Sequence, residues 1–217
     1  PECGTCYDSD SDSCKKEGAA LTPILYPRLL ARRYRFERRL GRGGMGVVYE
    51  SFDTELDRHV AIKLVHPALT LSSEAAARFR QEAKVAASLT HPNVVTIYDF
   101  GVAEDGRAYL VMELLQGSTL RQELKRVHRL PASRACAILS GVCAAVERAH
   151  QRKLLHRDLK PENIFLADTE RMVTPKILDF GVVKLLAPAE EATAGDRTDP
   201  GRLGGTLKYM EPAARQG

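Results

Sequence analysis

The run LLHRDLKPENIFL, residues 154–166, sets five polar side chains between apolar flanks that would fix their backbone: His156, Arg157, Asp158, Lys160 and Asn163 fall in one loop. A carboxylate at Asp158 accepts hydrogen bonds only, so it can orient a hydroxyl and take its proton. Two residues on, the Lys160 ammonium can neutralise charge on a phosphoryl group in transit. The Asn163 amide oxygen suits a hard cation such as magnesium. Downstream, ILDFG puts Asp179 after an apolar strand, as a second oxygen ligand with a glycine hinge at Gly181.

Upstream, Gly41, Gly43 and Gly46 spell G-x-G-x-x-G. A dinucleotide fingerprint would continue into a helix; here Val47, Val48 and Tyr49 follow, and β-branched and aromatic residues favour a strand. Two readings stay open, a lid whose backbone N–H groups approach phosphates and a plain glycine-rich hairpin. Lys63 lies in VAIKLV, a strand otherwise apolar on both faces. On the helix that follows, Phe79, Ala83 and Ala86 mark a buried stripe, and Glu82 rides at its side. Pairing Glu82 with Lys63 would relieve the cost of an unpartnered carboxylate; a surface glutamate at the stripe's edge is the alternative.

These groups need two kinds of scaffold. Short alternating runs (YRFERRL, VVYESF, HVAIKLV, NVVTIYDFGV, AYLVMELL) read as five strands, interrupted by one helix, SSEAAARFRQEAKVAASL, with Ser72 or Ser73 at its N-cap. After Gly117 the character turns helical, through STLRQELKRV and ASRACAILSGVCAAVERAHQR, with short strands near NIFLA and PKILDF. A strand-rich half followed by a helix-rich half predicts an α+β fold of two lobes. The expected divisions are a cysteine-containing segment at 1–20, a linker at 21–33, a first lobe at 34–115 and a second at 116–217.

Composition narrows the class. With 217 residues, 44% hydrophobic and 28% charged, the chain can bury a core. No window offers the uncharged apolar run that a membrane span needs. The net charge of +4 owes much to Arg28, Arg32, Arg33, Arg35, Arg38 and Arg39; a solvated face is the commoner fate of such a run than a nucleic-acid surface, so no nucleic-acid partner is expected. An odd cysteine count without a secretory signal points to a reducing, cytoplasmic setting. Cys136 and Cys143 read most simply as small buried side chains.

Taken together, these motifs resemble the eukaryotic-type serine/threonine protein kinases, and HPNVV, VMELLQGSTL and GTLKYM are similar to the bacterial members of that superfamily. The resemblance runs from about Tyr34 to Pro212. It implies a bilobal kinase-like fold with a five-stranded antiparallel first lobe, and a non-specific serine/threonine kinase in signal transduction that uses ATP and magnesium on protein serine or threonine hydroxyls. By that resemblance Lys63 holds the α- and β-phosphates and pairs with Glu82, Asp158 is the catalytic base, Lys160 marks serine/threonine substrates, and Asn163 and Asp179 carry magnesium. Leu40, Gly41, Gly43, Gly46 and Val48 cover the nucleotide. Met112 is the gatekeeper, the backbone of Glu113 and Leu115 meets adenine, and Val48, Ala61 and Phe165 sandwich the ring. Arg157 beside Asp158 implies control by activation-loop phosphorylation, with Thr198 or Thr193 as the site.

Two stretches depart from the pattern. In YMEPAA, Glu211 replaces a small residue and Ala213 stands where the family has Glu; the chain is expected to stop within the second lobe, and a catalytically silent nucleotide-binding module is the rival expectation. The first segment resembles zinc-ribbon modules: Cys3, Cys6 and Cys14, with Glu17 in the second knuckle, offer an incomplete tetrahedral zinc site. A disordered, redox-sensitive tail is the other reading of residues 1–20.

Overall fold

The computed structural model describes residues 2–7, 11–21, 28–44, 46–66, 72–156, 158–169 and 172–178. Arg157, Asp179 to Gly181, Thr193, Thr198 and the 206–213 stretch lie outside the described residues. The chain divides into two units, Pro1–Ala83 with Ile97–Leu114, and Lys84–Thr96 with Leu115–Gly217.

In the first unit, alternation of apolar and polar residues produces one antiparallel sheet. Its strands are β1 (Leu29–Leu30), β2 (Tyr34–Gly43), β3 (Gly46–Asp53), β4 (Arg58–Val65), β5 (Ile97–Val102) and β6 (Ala108–Glu113), in the order β1-β2-β3-β4-β6-β5. The five expected strands are all present. The sixth, β1, comes from the stretch read as a linker: Leu30 is buried and pairs with Tyr34. Directly opposed residues share a sheet face, so the register sorts the side chains. Tyr49, Val60, Ile62, Leu64 and Val111 pack together with Phe36 on one face. The helix α1 (Ser73–Ala87) is capped by Ser72, whose Oγ accepts from the Ala75 N–H at 3.0 Å, and it buries Phe79, Ala83 and Ala86.

Charge also organises this unit. Asp53 ends β3 fully buried and accepts two parallel bonds from Arg33 Nε and Nη2, at 2.7 and 2.8 Å. It also accepts the Glu55 and Leu56 N–H groups of the following turn, which together hold its carboxyl below the ordinary range. Arg38 pairs with Glu50 and Arg35 with Glu37, so several members of the arginine run are spent on acidic neighbours within the sheet.

The second unit has β7 (Gly117–Thr119), α2 (Leu120–Val127), α3 (Ala132–Gln151), a 3-10 turn at Pro161–Asn163, β8 (Ile164–Asp168) and β9 (Val173–Ile177). The strands form a small antiparallel sheet, β7-β8-β9. Helix α2 starts at a capping box in which Thr119 and Gln122 bond reciprocally. Helix α3 buries Ile138, Val142, Ala145 and Ala149, a 4-3-4 spacing that makes one face. Cys136 and Cys143 fall off that face and are exposed, contrary to their expected burial. Residues 84–96 group here rather than with the strand-rich unit, because Leu89 and Val94 pack with Ile138, Ile164 and Ile177. No helix among the described residues is long and apolar enough to cross a membrane.

Candidate active site

Within the first unit, the face opposite the Ile62 and Val111 core carries the candidate nucleotide residues. Val48 stands opposite Lys63, Lys63 opposite Leu110, and Ala61 opposite Met112. These pairings place Val48, Ala61, Lys63 and Met112 on one side of the sheet by pleat alone. Ala61, Lys63 and Met112 are buried, Val48 and Glu113 half-buried. Glu82 is half-buried on the part of α1 that belongs to the same unit.

The glycine hairpin closes with Gly43 opposite Gly46. Two bulges interrupt β2, at Glu37 and at Leu40, and they leave Leu40 unmatched on β3 and well exposed. Gly46 is unlike the others. Its φ is +147°, and a Cβ there would come within 2.0 Å of the Leu64 carbonyl oxygen of β4. Around Gly41 and Gly43 an added Cβ would meet nothing within 4 Å. The open positions leave backbone accessible for a ligand, while Gly46 is required by the sheet itself.

In the second unit the catalytic-type loop is tied down from both sides. His156 is buried; its Nδ1 accepts the Asp158 N–H at 3.2 Å, so its proton sits on Nε2, which donates to the Leu178 carbonyl at 3.0 Å. Asn163 Nδ2 donates to the Asp158 carbonyl oxygen at 2.8 Å and reaches carboxylate Oδ2 at 3.3 Å. Lys160 Nζ lies 3.0 Å from the same Oδ2. Backbone bonds from Asn163 to Lys160 and from Leu178 to Asn163 stitch the loop to the end of β9. Asp158, Lys160 and Asn163 are thereby brought together. Phe165, half-buried, is on β8 opposite Thr119 and Lys176.

Sequence reasoning passed over three ties within this unit. Asn93, within HPNVV, donates from Nδ2 to the Pro175 carbonyl at 2.7 Å, and residues 93–95 bracket Ile177 in a parallel bridge. Glu162 pairs with Arg121 of α2. Glu123, buried on α2, takes Arg126 and Arg134, and the hydrogen bonds from Arg126 hold its carboxyl below the usual range. Only Asn93 carried a signal, the Pro-Asn turn before an apolar run.

Residues 34–214 match the protein kinase domain family. This chain belongs to the protein kinase family. Among relatives, it is 38% identical over 193 residues to the serine/threonine-protein kinase pkn3 of Myxococcus xanthus, an alignment covering 88% of this chain and 35% of that one. It is 38% identical over 187 residues to PknA of Mycobacterium tuberculosis, covering 84% and 41%, and 37% identical over 194 residues to PrkC of Bacillus subtilis, covering 89% and 28%. The kinase chain thus spans well under half the length of these curated relatives. Among solved structures, a variant of the PknI kinase domain of Mycobacterium tuberculosis superposes with a TM-score of 0.64 at 32% identity, covering 81% of this chain and 71% of that one.

The cysteine segment of this kinase differs from the expected ligand set. Cys3, Cys14 and Glu17 bring one ligand atom each within 4.8 Å of one another, and Cys6 is not among them. Cys6 packs against the core of the sheet, with Sγ toward the Gly4 carbonyl, and burial pushes its thiol up. Residues 12–21 form a narrow turn, with Cys14 N–H on Ala19 O and Leu21 N–H on Asp12 O, in place of the disordered tail that was the other reading.

Proposed function

We propose that this chain is the catalytic part of a serine/threonine protein kinase of the bacterial type, moving the γ-phosphoryl group of ATP to a serine or threonine hydroxyl of a protein. The observation that carries this reading is the loop geometry: one carboxylate oxygen of Asp158 lies within reach of both Lys160 Nζ, at 3.0 Å, and Asn163 Nδ2, at 3.3 Å. A carboxylate pinned in this way presents a fixed acceptor to an incoming hydroxyl. The substrate oxygen bonds to the γ-phosphorus as its proton passes to Asp158, and the bond to the bridging oxygen breaks to release ADP. Lys160 offsets charge on the phosphoryl oxygens in transit.

Lys63, buried on the sheet face with Val48, Ala61 and Met112, is suited to hold the α- and β-phosphates, and Glu82 to hold Lys63. By the family resemblance, Met112, the backbone of Glu113 and Leu115, and Phe165 are the groups assigned to adenine. Magnesium fits the donor set: with Asn163 Nδ2 turned to Asp158, the amide oxygen faces away from it as a hard donor, and Asp179 would complete the pair. When bound, magnesium neutralises phosphate charge. Thr198, preferred to Thr193, is the proposed activating phosphosite.

The test is intact-mass detection of phosphate added to the chain and to a basic protein in the presence of Mg-ATP, with Asp158→Asn alongside. Loss of the general base should lower the rate by about 10²–10⁴. Equal transfer by wild type and D158N, or none from a folded wild-type sample that still binds nucleotide, would leave a silent nucleotide-binding module.

A further inference from the structure

The first unit opens with a cysteine-bearing segment for which phosphoryl transfer has no use. Two tight turns meet there. The Glu17 carboxylate reaches across and accepts the N–H groups of Glu2 and Cys3, at 3.0 and 2.7 Å. Each of its oxygens keeps a lone pair after doing so. Cys14 is 1% exposed, and its Sγ lies 3.7 Å from Cys3 Sγ. Two sulfurs held at about 2.3 Å from a tetrahedral zinc stand about 3.8 Å apart, so this pair has the edge length of such a site. The Tyr7 hydroxyl lies 3.3 Å from the Cys14 sulfur and can donate to it once the thiol is ionised, and the Lys16 and Glu17 N–H groups point to the same sulfur. Tyr7 is itself oriented by the Lys15 N–H at 3.0 Å. Donors of this kind surround metal-bound sulfur and fix its direction.

We propose that Cys3 Sγ, Cys14 Sγ and a Glu17 carboxylate oxygen hold one borderline-soft divalent cation of the zinc class, with water in the fourth position. Two thiolates and one carboxylate select such an ion over magnesium or calcium, which take oxygen ligands. Binding displaces one proton from each cysteine. The consequence reaches the sheet. Just beyond Cys3, the Gly4 carbonyl accepts the Arg39 N–H and the Cys6 N–H donates to the Glu37 carbonyl, both at 2.8 Å, so the segment continues along the free side of β2. Gly4 allows this approach, with φ +70° and only 2.8 Å from its Cβ position to Arg39 O. The metal clamps the segment on the strand that leads into Gly41 and Gly43.

The experiment titrates the reduced chain, in a phosphine reductant, with zinc and with cobalt(II) as an optical stand-in. Native mass counts metal, and thiolate-to-cobalt charge-transfer bands report sulfur ligation. One equivalent should bind to wild type and to Cys6→Ser, and none to Cys3→Ser or Cys14→Ser. Tyr7→Phe, which leaves the ligands intact, should weaken binding by roughly 10–100-fold. Glu17→Gln should weaken it by at least about tenfold. No uptake by wild type above the Cys3→Ser and Cys14→Ser chains would overturn the proposal, leaving a thiol–thiol contact. Loss of metal in C6S with an unchanged far-UV spectrum, or unchanged affinity in E17Q, would overturn the ligand set. Uptake is read without ATP, so its failure is distinct from any failure of phosphoryl transfer.

Discussion

Replacing Gly46 by alanine should damage the fold, whereas the same change at Gly41 or Gly43 should damage only nucleotide binding. At Gly46 the backbone sits at φ +147°, and a new Cβ would lie 2.0 Å from Leu64 O, 3.0 Å from Leu64 C and 3.2 Å from Val65 Cα. All three are backbone atoms of β4, a strand paired on both sides, with Leu64 opposite Val47 and Tyr109. They cannot swing aside as a side chain would. The unfavourable dihedral costs about 1–3 kcal/mol, and opening the Gly46–Val65 rung to relieve the clash forfeits about 0.5–1.5 kcal/mol. A loss of roughly 2–4 kcal/mol follows, a large share of the stability of an ordinary domain. Around Gly41 and Gly43 there is open space, so those substitutions should stay within about ±0.5 kcal/mol. Urea unfolding followed by far-UV circular dichroism measures the first effect, and titration with a non-hydrolysable ATP analogue the second. Equal unfolding midpoints for G46A and wild type would refute the close-approach argument. Undiminished nucleotide affinity in G41A and G43A would refute the phosphate-lid reading.

Other outcomes follow from charge. Asp53→Ala removes four acceptor contacts and leaves the partly buried Arg33 with the exposed Glu55 alone, and should destabilise the first unit by about 1–3 kcal/mol in denaturant titration; a change under about 0.5 kcal/mol would show the pair to be dispensable. Glu123 has its folded value depressed, chiefly by Arg126, below the unfolded value of about 4.3. Its contribution is therefore complete above that pH and fades as pH falls through the folded value. Wild type and Glu123→Gln should differ in thermal stability near neutrality and converge on acidification below about pH 4; a gap that persists at low pH would mean the ion pairs with Arg126 and Arg134 carry no weight.

Much of the scaffold was legible because period and burial agree. HVAIKLV reads as a strand buried on both faces, and β4 is buried from Val60 to Val65 with Lys63 included. Asp158, Lys160 and Asn163 could be singled out because a polar run inside an apolar one has few structural uses, and the fold does gather them. What escaped the sequence was phase and partnership. Helix α3 is so rich in alanine and other small residues that nothing marks which side turns inward, and Cys136 and Cys143, seven apart, share the outward one. The Cys3-x-x-Cys6 spacing looked like a ligand pair, yet the chain turns at Gly4, with φ +70°, and runs beside β2, so Cys6 packs against the core of the sheet while Cys3 faces Cys14. Gly117 to Thr119 looked like the opening of a helix, and became β7 because its partner, β8, lies more than forty residues away, beyond any local signal.

The placement of residues 84–96 bears on how this kinase could be dismantled or built. The polypeptide passes from one unit to the other three times, within α1, after Thr96 and after Leu114. Neither unit is a contiguous stretch of gene. A cut after Leu114 would carry away Leu89, Val94 and Asn93 with the strand-rich piece and leave β9 without the neighbour that brackets Ile177. The bond from Asn93 to Pro175 closes a span of 82 residues, a slow kind of contact to form. Ancestry by fusion of two free-standing modules is hard to draw through such a stitch. Thirteen of the residues between the strands of the first unit belong to the second, and the bonds of Asn93 and Val95 to Pro175 and Ile177 can form only once β9 has been made.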